Sequence, residues 1–172
     1  MKISGTLSYS LRLRERCMIW LVAITFPVYE RVFRRHSPTW QQDRSSLMYY
    51  EPDSLGRALG YFLTEHEMEL IPRSENHDVF HVLLNYGTTV LAESEMQFCL
   101  LGNGKRSLFV LGTCAIAWLA FPEYWSAFRA AWRRGKRLRR FYHWYFEYLL
   151  NEPLEELRKF IRGEQTKTGL ML

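Results

Sequence analysis

Proline and glycine residues divide this chain into short segments in which apolar residues recur at helical spacing. The clearest segment follows Pro52, where an i, i+3, i+4, i+7, i+8 stripe is formed by Leu55, Ala58, Leu59, Phe62 and Leu63. Sustained alternation of apolar and polar residues, which is typical of half-buried strands, is missing from the sequence. The sequence therefore predicts an all-α fold.

The length of 172 residues is that of one domain, and 48% apolar with 24% charged residues is typical of a globular chain. This composition excludes a disordered tail, a collagen-like repeat and a disulfide miniprotein. We predict a single all-α domain over residues 1–172, built as a bundle of about seven or eight helices. The first helix is expected over residues 10–35, with a kink or a break at Pro27.

Three further expectations concern single elements. Residues 108–120 are apolar on all sides, so we expect them to form the buried central helix. Gly87 is expected to terminate a helix, because glycine is common just past helix ends. Gly135 is expected to interrupt another helix, after which a new helix should continue through Leu150.

A basic stretch lies between residues 129 and 140, where the sequence has basic residues and no acidic one. Its members are Arg129, Arg133, Arg134, Lys136, Arg137, Arg139 and Arg140. Tryptophan and tyrosine residues flank it. This pattern suits a solvated face over a buried aromatic one, a helix on an anionic membrane surface or, less well, a nucleic-acid surface. The basic stretch is therefore a candidate membrane-surface patch.

The sequence His77-Asp78-Val79-Phe80-His81 carries the strongest chemical signal in the chain. Two histidines four residues apart on a helix project from the same face, one turn apart, and can hold one divalent ion. Asp78 precedes His81 by three residues and is a candidate third ligand. Imidazole and carboxylate ligands suit Zn²⁺, Fe²⁺ or Mn²⁺.

Glu93 follows His81 after eleven intervening residues. On one straight helix their Cα atoms would be about 18 Å apart, too far for shared coordination. A helix break within residues 85–89 would instead form a hairpin, with His81 about one turn before the bend and Glu93 about one turn after it. The sequence therefore predicts a metal site on a helix hairpin.

Three other metalloenzyme classes have similar motifs but do not fit. Zincin proteases need glutamate where Asp78 stands. Phosphohydrolases with a His-Asp pair need a later aspartate, and Asp78 is the last aspartate of the chain. Di-iron bundles need Glu-x-x-His pairs, which the sequence lacks.

The spacing from His77 to Glu93 matches the H-D-x-x-H-x11-E motif, and here the chain resembles the coenzyme Q (ubiquinone) biosynthesis protein 4 family. Three other segments are similar to that family in the same order: PDSLGRALGYFL (52–63), the basic and aromatic region 135–147, and PLEELR (153–158). The resemblance covers about residues 50–162. It implies an α-helical fold in which His77, Asp78, His81 and Glu93 bind a divalent metal, usually zinc.

The resemblance also implies an activity in ubiquinone biosynthesis. This would be a metal-dependent, oxidative decarboxylation of the lyase class, in which a polyprenylated hydroxybenzoate loses its C1 carboxylate and gains a hydroxyl. No catalytic residue beyond the ligands and no organic cofactor is expected. The alternative is a non-catalytic organiser that binds the metal and a quinone-like lipid and associates with other quinone-biosynthesis enzymes; a homodimer is also left open.

Residues 1–10 contain one basic residue, so we do not expect a mitochondrial transit peptide. A bacterial cytoplasmic protein bound peripherally to the inner membrane is the expected location, and the mitochondrial inner membrane is the second choice.

Overall fold

The computed structural model describes residues 3–33 and 39–166, and in these ranges the chain forms eight α-helices and no β-strand. The helices are α1 (Ile3–Phe33), α2 (Arg44–Leu47), α3 (Leu55–Glu65), α4 (Glu75–Leu84), α5 (Val90–Asn103), α6 (Leu108–Ala120), α7 (Trp125–Arg137) and α8 (Leu154–Arg162). Short 3₁₀ turns occur at Pro122–Tyr124 and Phe146–Leu149. The all-α prediction is therefore confirmed.

The helices group by their contacts into two units. The first contains α1, α5, α6 and α7 up to Gly135, and the second contains α2, α3, α4 and α8. The single domain over residues 1–172 stays a prediction.

In the first unit, α1 begins at Ile3, earlier than predicted, and contains Pro27. The predicted end of this helix at residue 35 lies outside the described residues. Arg14 fixes α1 to the end of α6, because its guanidinium donates to the Ala120 carbonyl oxygen at 2.6 Å and pairs with Glu123 at 2.6 Å. The hydrogen bond from Arg14 lowers the pKa of Glu123 below its ordinary value.

Gly135 does not interrupt a helix as predicted, because it lies inside α7 at a close crossing with α5. A Cβ atom at Gly135 would overlap the Cys99 carbonyl group, and one at Gly102 would overlap the Trp132 carbonyl group. Asn103 donates from its amide to the Gly135 carbonyl oxygen at 3.2 Å. An isolated glycine within a helical pattern here serves close backbone packing rather than termination.

The predicted helix through Leu150 is also wrong, since residues 138–145 are irregular and lead into the 3₁₀ turn.

Helix α6 is only half buried, which corrects the prediction of a buried central helix. Val110, Cys114 and Ala117 lie on its buried face, and burial raises the pKa of Cys114 to about 12. On its other side Leu108 is 62% exposed and Leu119 is 80% exposed. A segment that is apolar all round does not itself indicate which face will be covered.

Among the described helices, none is alone long and apolar enough to cross a membrane. Helix α6 and residues 122–137, taken together, have the length and the apolar composition that a membrane span requires, but the pair is bent by 105°.

In the second unit, α4 is fixed by aromatic packing and by an arginine of α8. The ring of Phe80 packs edge-on against Phe141 and Phe146, with centroids 5.9 and 5.6 Å apart. Arg158 donates to the carbonyl oxygens of Val82 at 2.7 Å and Leu83 at 3.3 Å. These are carbonyl groups of the last turn of α4, which a cation favourably caps.

Candidate metal centre

His77 and His81 lie one turn apart on α4, and the structure brings their rings together. The two Nε2 atoms are 3.3 Å apart. Because the helix places residues i and i+4 on one face, both nitrogens are directed to the same point.

The orientation of His81 is fixed from two sides. Its Nδ1 lies 3.1 Å from the Tyr86 carbonyl oxygen, and since a carbonyl oxygen can only accept, Nδ1 must donate. In the neutral ring this leaves the lone pair on Nε2, the atom that faces His77. Phe62 of α3 stacks on the His81 ring at 5.2 Å, and His81 is 3% exposed. A hydrogen bond of this kind is typical of metal-binding histidines, whose second nitrogen donates to a carbonyl or carboxylate group.

A short segment separates α4 from α5. Asn85 adopts the left-handed conformation with φ 57° and ends the helix, so the termination expected at Gly87 occurs two residues earlier. Asparagine is among the few residues other than glycine that adopt this conformation readily. The Thr89 hydroxyl accepts from the Ala92 N–H at 3.2 Å and caps α5. Glu93 then lies in the first turn of α5, where the helix dipole favours a carboxylate.

One ligand atom from each of His77, His81 and Glu93 lies within 4.8 Å of the others, so these three residues form a group that could hold a metal ion. The distances suit such a role. Two nitrogen ligands at about 2.0–2.1 Å from a tetrahedral Zn²⁺ are about 3.3 Å apart, which is the separation of the two Nε2 atoms. The prediction that these three residues come together as a group that could hold a metal ion is confirmed.

Asp78 is 7% exposed and does not belong to this group. It is displaced around α4 by about 100° from His77 and about 60° from His81. Its role as a ligand stays a prediction.

A cavity of about 580 Å³ opens beside His81 within the second unit. Its walls combine aromatic and polar side chains, including Tyr61, Phe62, His66, Tyr86 and Arg158. His66 was not predicted as a site residue, because no second histidine stands at helical spacing from it. Its position is set by Phe62, whose ring meets His66 edge-on at 4.7 Å.

All members of the basic stretch are exposed. Arg129, Arg133, Arg134, Lys136 and Arg137 belong to α7, while Arg139 and Arg140 follow it. Within α7 the buried residues Phe128, Ala131 and Gly135 occupy one face, so the helix is amphipathic. Arg129 lies over the Trp118 ring at 5.9 Å, and Arg139 lies over the Phe160 ring at 4.6 Å.

No protein-family model and no curated protein matches the chain. The resemblance to the coenzyme Q biosynthesis protein 4 family therefore stays a prediction, which depends on the motif and its spacing.

Proposed function

We propose that this protein acts in ubiquinone biosynthesis as a metal-dependent enzyme that removes the C1 carboxylate of a polyprenylated hydroxybenzoate. The observation that supports this most is the His77, His81 and Glu93 group, whose spacing is that of the family motif. Two histidines and one glutamate are a common ligand set of catalytic zinc sites, which leave one position open to water or substrate.

The divalent ion, most simply Zn²⁺, would supply Lewis acidity toward the carboxylate or phenolate of the substrate. His77, His81 and Glu93 would hold it, with the Tyr86 carbonyl fixing the His81 tautomer. The cavity beside His81 has aromatic walls of the kind that stack on a substrate ring. Zn²⁺ has no redox chemistry, so introduction of the C1 hydroxyl requires an oxidant such as dioxygen. Fe²⁺ in the same ligands would bring redox chemistry of its own.

Turnover tests this proposal directly. Purified, metal-loaded protein should release labelled CO₂ from a carboxyl-labelled prenylated hydroxybenzoate, and His81→Ala should reduce the release to background. An analysis of the aromatic product, with and without dioxygen, shows whether hydrogen or hydroxyl replaces the carboxylate. Absence of turnover in protein that retains its metal and binds the lipid would favour the organiser function, in which other quinone-biosynthesis enzymes bind to the protein.

The substrate tail is apolar, so the protein has to collect its substrate from a membrane. We further propose that the anionic surface of a membrane is a partner, on the cytoplasmic side of a bacterial inner membrane. The exposed Arg129, Arg133 and Arg134 of α7 and the exposed leucines of α6, which belong to the same unit, support this. Cationic side chains and apolar side chains together are what binds a peripheral protein to anionic lipid.

Reversal of charge at Arg133, Arg137 and Arg140 should weaken binding to anionic liposomes by at least a hundredfold. Each basic residue near such a surface contributes about 1 kcal/mol, and three together correspond to more than a hundredfold in partitioning. Sedimentation with liposomes of defined lipid composition measures this. High salt should weaken wild-type binding in the same way.

Metal content should be unchanged in this triple variant, which controls for misfolding. Equal binding of the wild type to neutral and anionic liposomes would contradict the electrostatic attraction. Salt-sensitive binding to DNA or RNA without liposome binding would instead support a nucleic-acid surface.

A further inference from the structure

Gln97 presents a buried hydrogen-bond acceptor that the described part of the chain does not satisfy. Its side chain lies on α5 and is 2% exposed, and its Oε1 atom has no hydrogen-bond partner. Such atoms are rare in native proteins because they lose water without gaining a partner. A donor that comes from outside the polypeptide would satisfy it.

The position of Gln97 relates it to the candidate metal centre. It follows Glu93 by four residues, so both side chains project from the same face of α5, one turn apart. Glu93 as a carboxylate can only accept and cannot satisfy Gln97. Ser94 is also buried, but its hydroxyl already donates to the Val90 carbonyl oxygen at 2.7 Å.

We propose that Gln97 is a positioning residue of the metal centre, whose Oε1 accepts a hydrogen bond from a water molecule carried by the ion. This rests on the proposed function, since it requires an ion on His77, His81 and Glu93. Three protein ligands leave a coordination position that water fills, and water bound to a cation is a strong donor. An amide oxygen suits this role, because it accepts a hydrogen bond and adds no charge that would alter the ion.

The inference predicts opposite effects on the metal-free and the metal-bound protein. In Gln97→Leu, an unsatisfied acceptor is replaced by an apolar group of similar size, so the Tm without metal should stay equal or rise. The affinity for Zn²⁺ should fall at least about tenfold, as it does when groups that contact a metal's ligands are lost. Calorimetric titration with Zn²⁺ and thermal unfolding with and without Zn²⁺ measure both. Gln97→Met is a second variant of similar length that also lacks the acceptor, and it should change the Tm and the Zn²⁺ affinity in the same way as Gln97→Leu. It controls for poor packing of leucine at this position.

Asn103→Leu is the matched control on the same helix. Asn103 is buried and donates to the Gly135 carbonyl oxygen, so its role is structural. This variant should lower the Tm without metal and leave the Zn²⁺ affinity unchanged.

Wild-type Zn²⁺ affinity in both Gln97 variants would overturn the inference while leaving the metal centre intact, whether or not their metal-free Tm falls. A wild-type protein that binds no Zn²⁺ would refute the metal centre and this inference together.

Discussion

Protein purified without chelator should carry about one divalent ion per chain, and His81→Ala should lose most of it. His81 supplies a buried nitrogen whose lone pair is fixed by the Tyr86 carbonyl, so its removal deletes a preorganised ligand. One bond to the ion is then lost, and metal affinity falls by more than the about 10–100-fold typical of an outer-shell change. Elemental analysis of the purified variants measures the loss.

The chain offers matched controls for this experiment. His143→Ala removes an exposed imidazole outside the candidate group and should leave the metal content unchanged. Glu93→Gln should reduce the metal content. Asp78→Asn should reduce it as well only if Asp78 is a fourth ligand. Equal metal content in the wild type and in the His77→Ala, His81→Ala double variant would contradict the metal centre.

Gly135→Ala should destabilise the protein by about 3 kcal/mol, near the upper end of the usual cost of overpacking. The added Cβ would overlap the backbone carbonyl of Cys99, so the helices α5 and α7 would have to move apart. For a chain of this size such a loss lowers the Tm by about 6–12 °C. Thermal and urea unfolding followed by circular dichroism measure it.

Gly112→Ala is the control, because nothing lies within 4 Å of a Cβ at this exposed position of α6. Alanine there should stabilise the protein by about 0.5–1 kcal/mol through its higher helix propensity. Equal stability of the two alanine variants would show that α5 and α7 are not closely packed at Gly135.

Local patterns account for most of the helices. The apolar stripe from Leu55 to Leu63 predicts α3, and the helix begins after Ser54, whose hydroxyl oxygen accepts from the Arg57 N–H at 3.1 Å. Thr89 caps α5 in the same way. These features depend on residues within one or two turns, which the sequence displays directly.

The errors concern features that depend on distant parts of the chain. Whether α6 is covered on one side or all round depends on its neighbours α1 and α5, and its own residues are apolar in either case. Gly135 is a helix breaker by propensity, but Cys99, far away in sequence, makes it a packing residue. The residue pattern within a single helix does not show which other residues will pack against that helix.

The same distinction holds for the candidate site. The spacing of His77, His81 and Glu93 predicted the group that the structure brings together. The Tyr86 carbonyl, the stacking of Phe62 on His81 and the unsatisfied oxygen of Gln97 were not predictable, because a backbone atom, a core phenylalanine and a single glutamine have no sequence signature.

The residues of the metal group are close together along the chain, from His77 to Glu93, and only the turn that begins at Asn85 separates their helices. Closing so short a loop costs little conformational entropy, and contacts of low sequence separation form early in folding. Helices α6 to α8 are synthesised later. Phe141, Phe146 and Arg158, which fix α4, belong to that later part, so we expect the three residues of the metal group to reach their final geometry only after it has been synthesised.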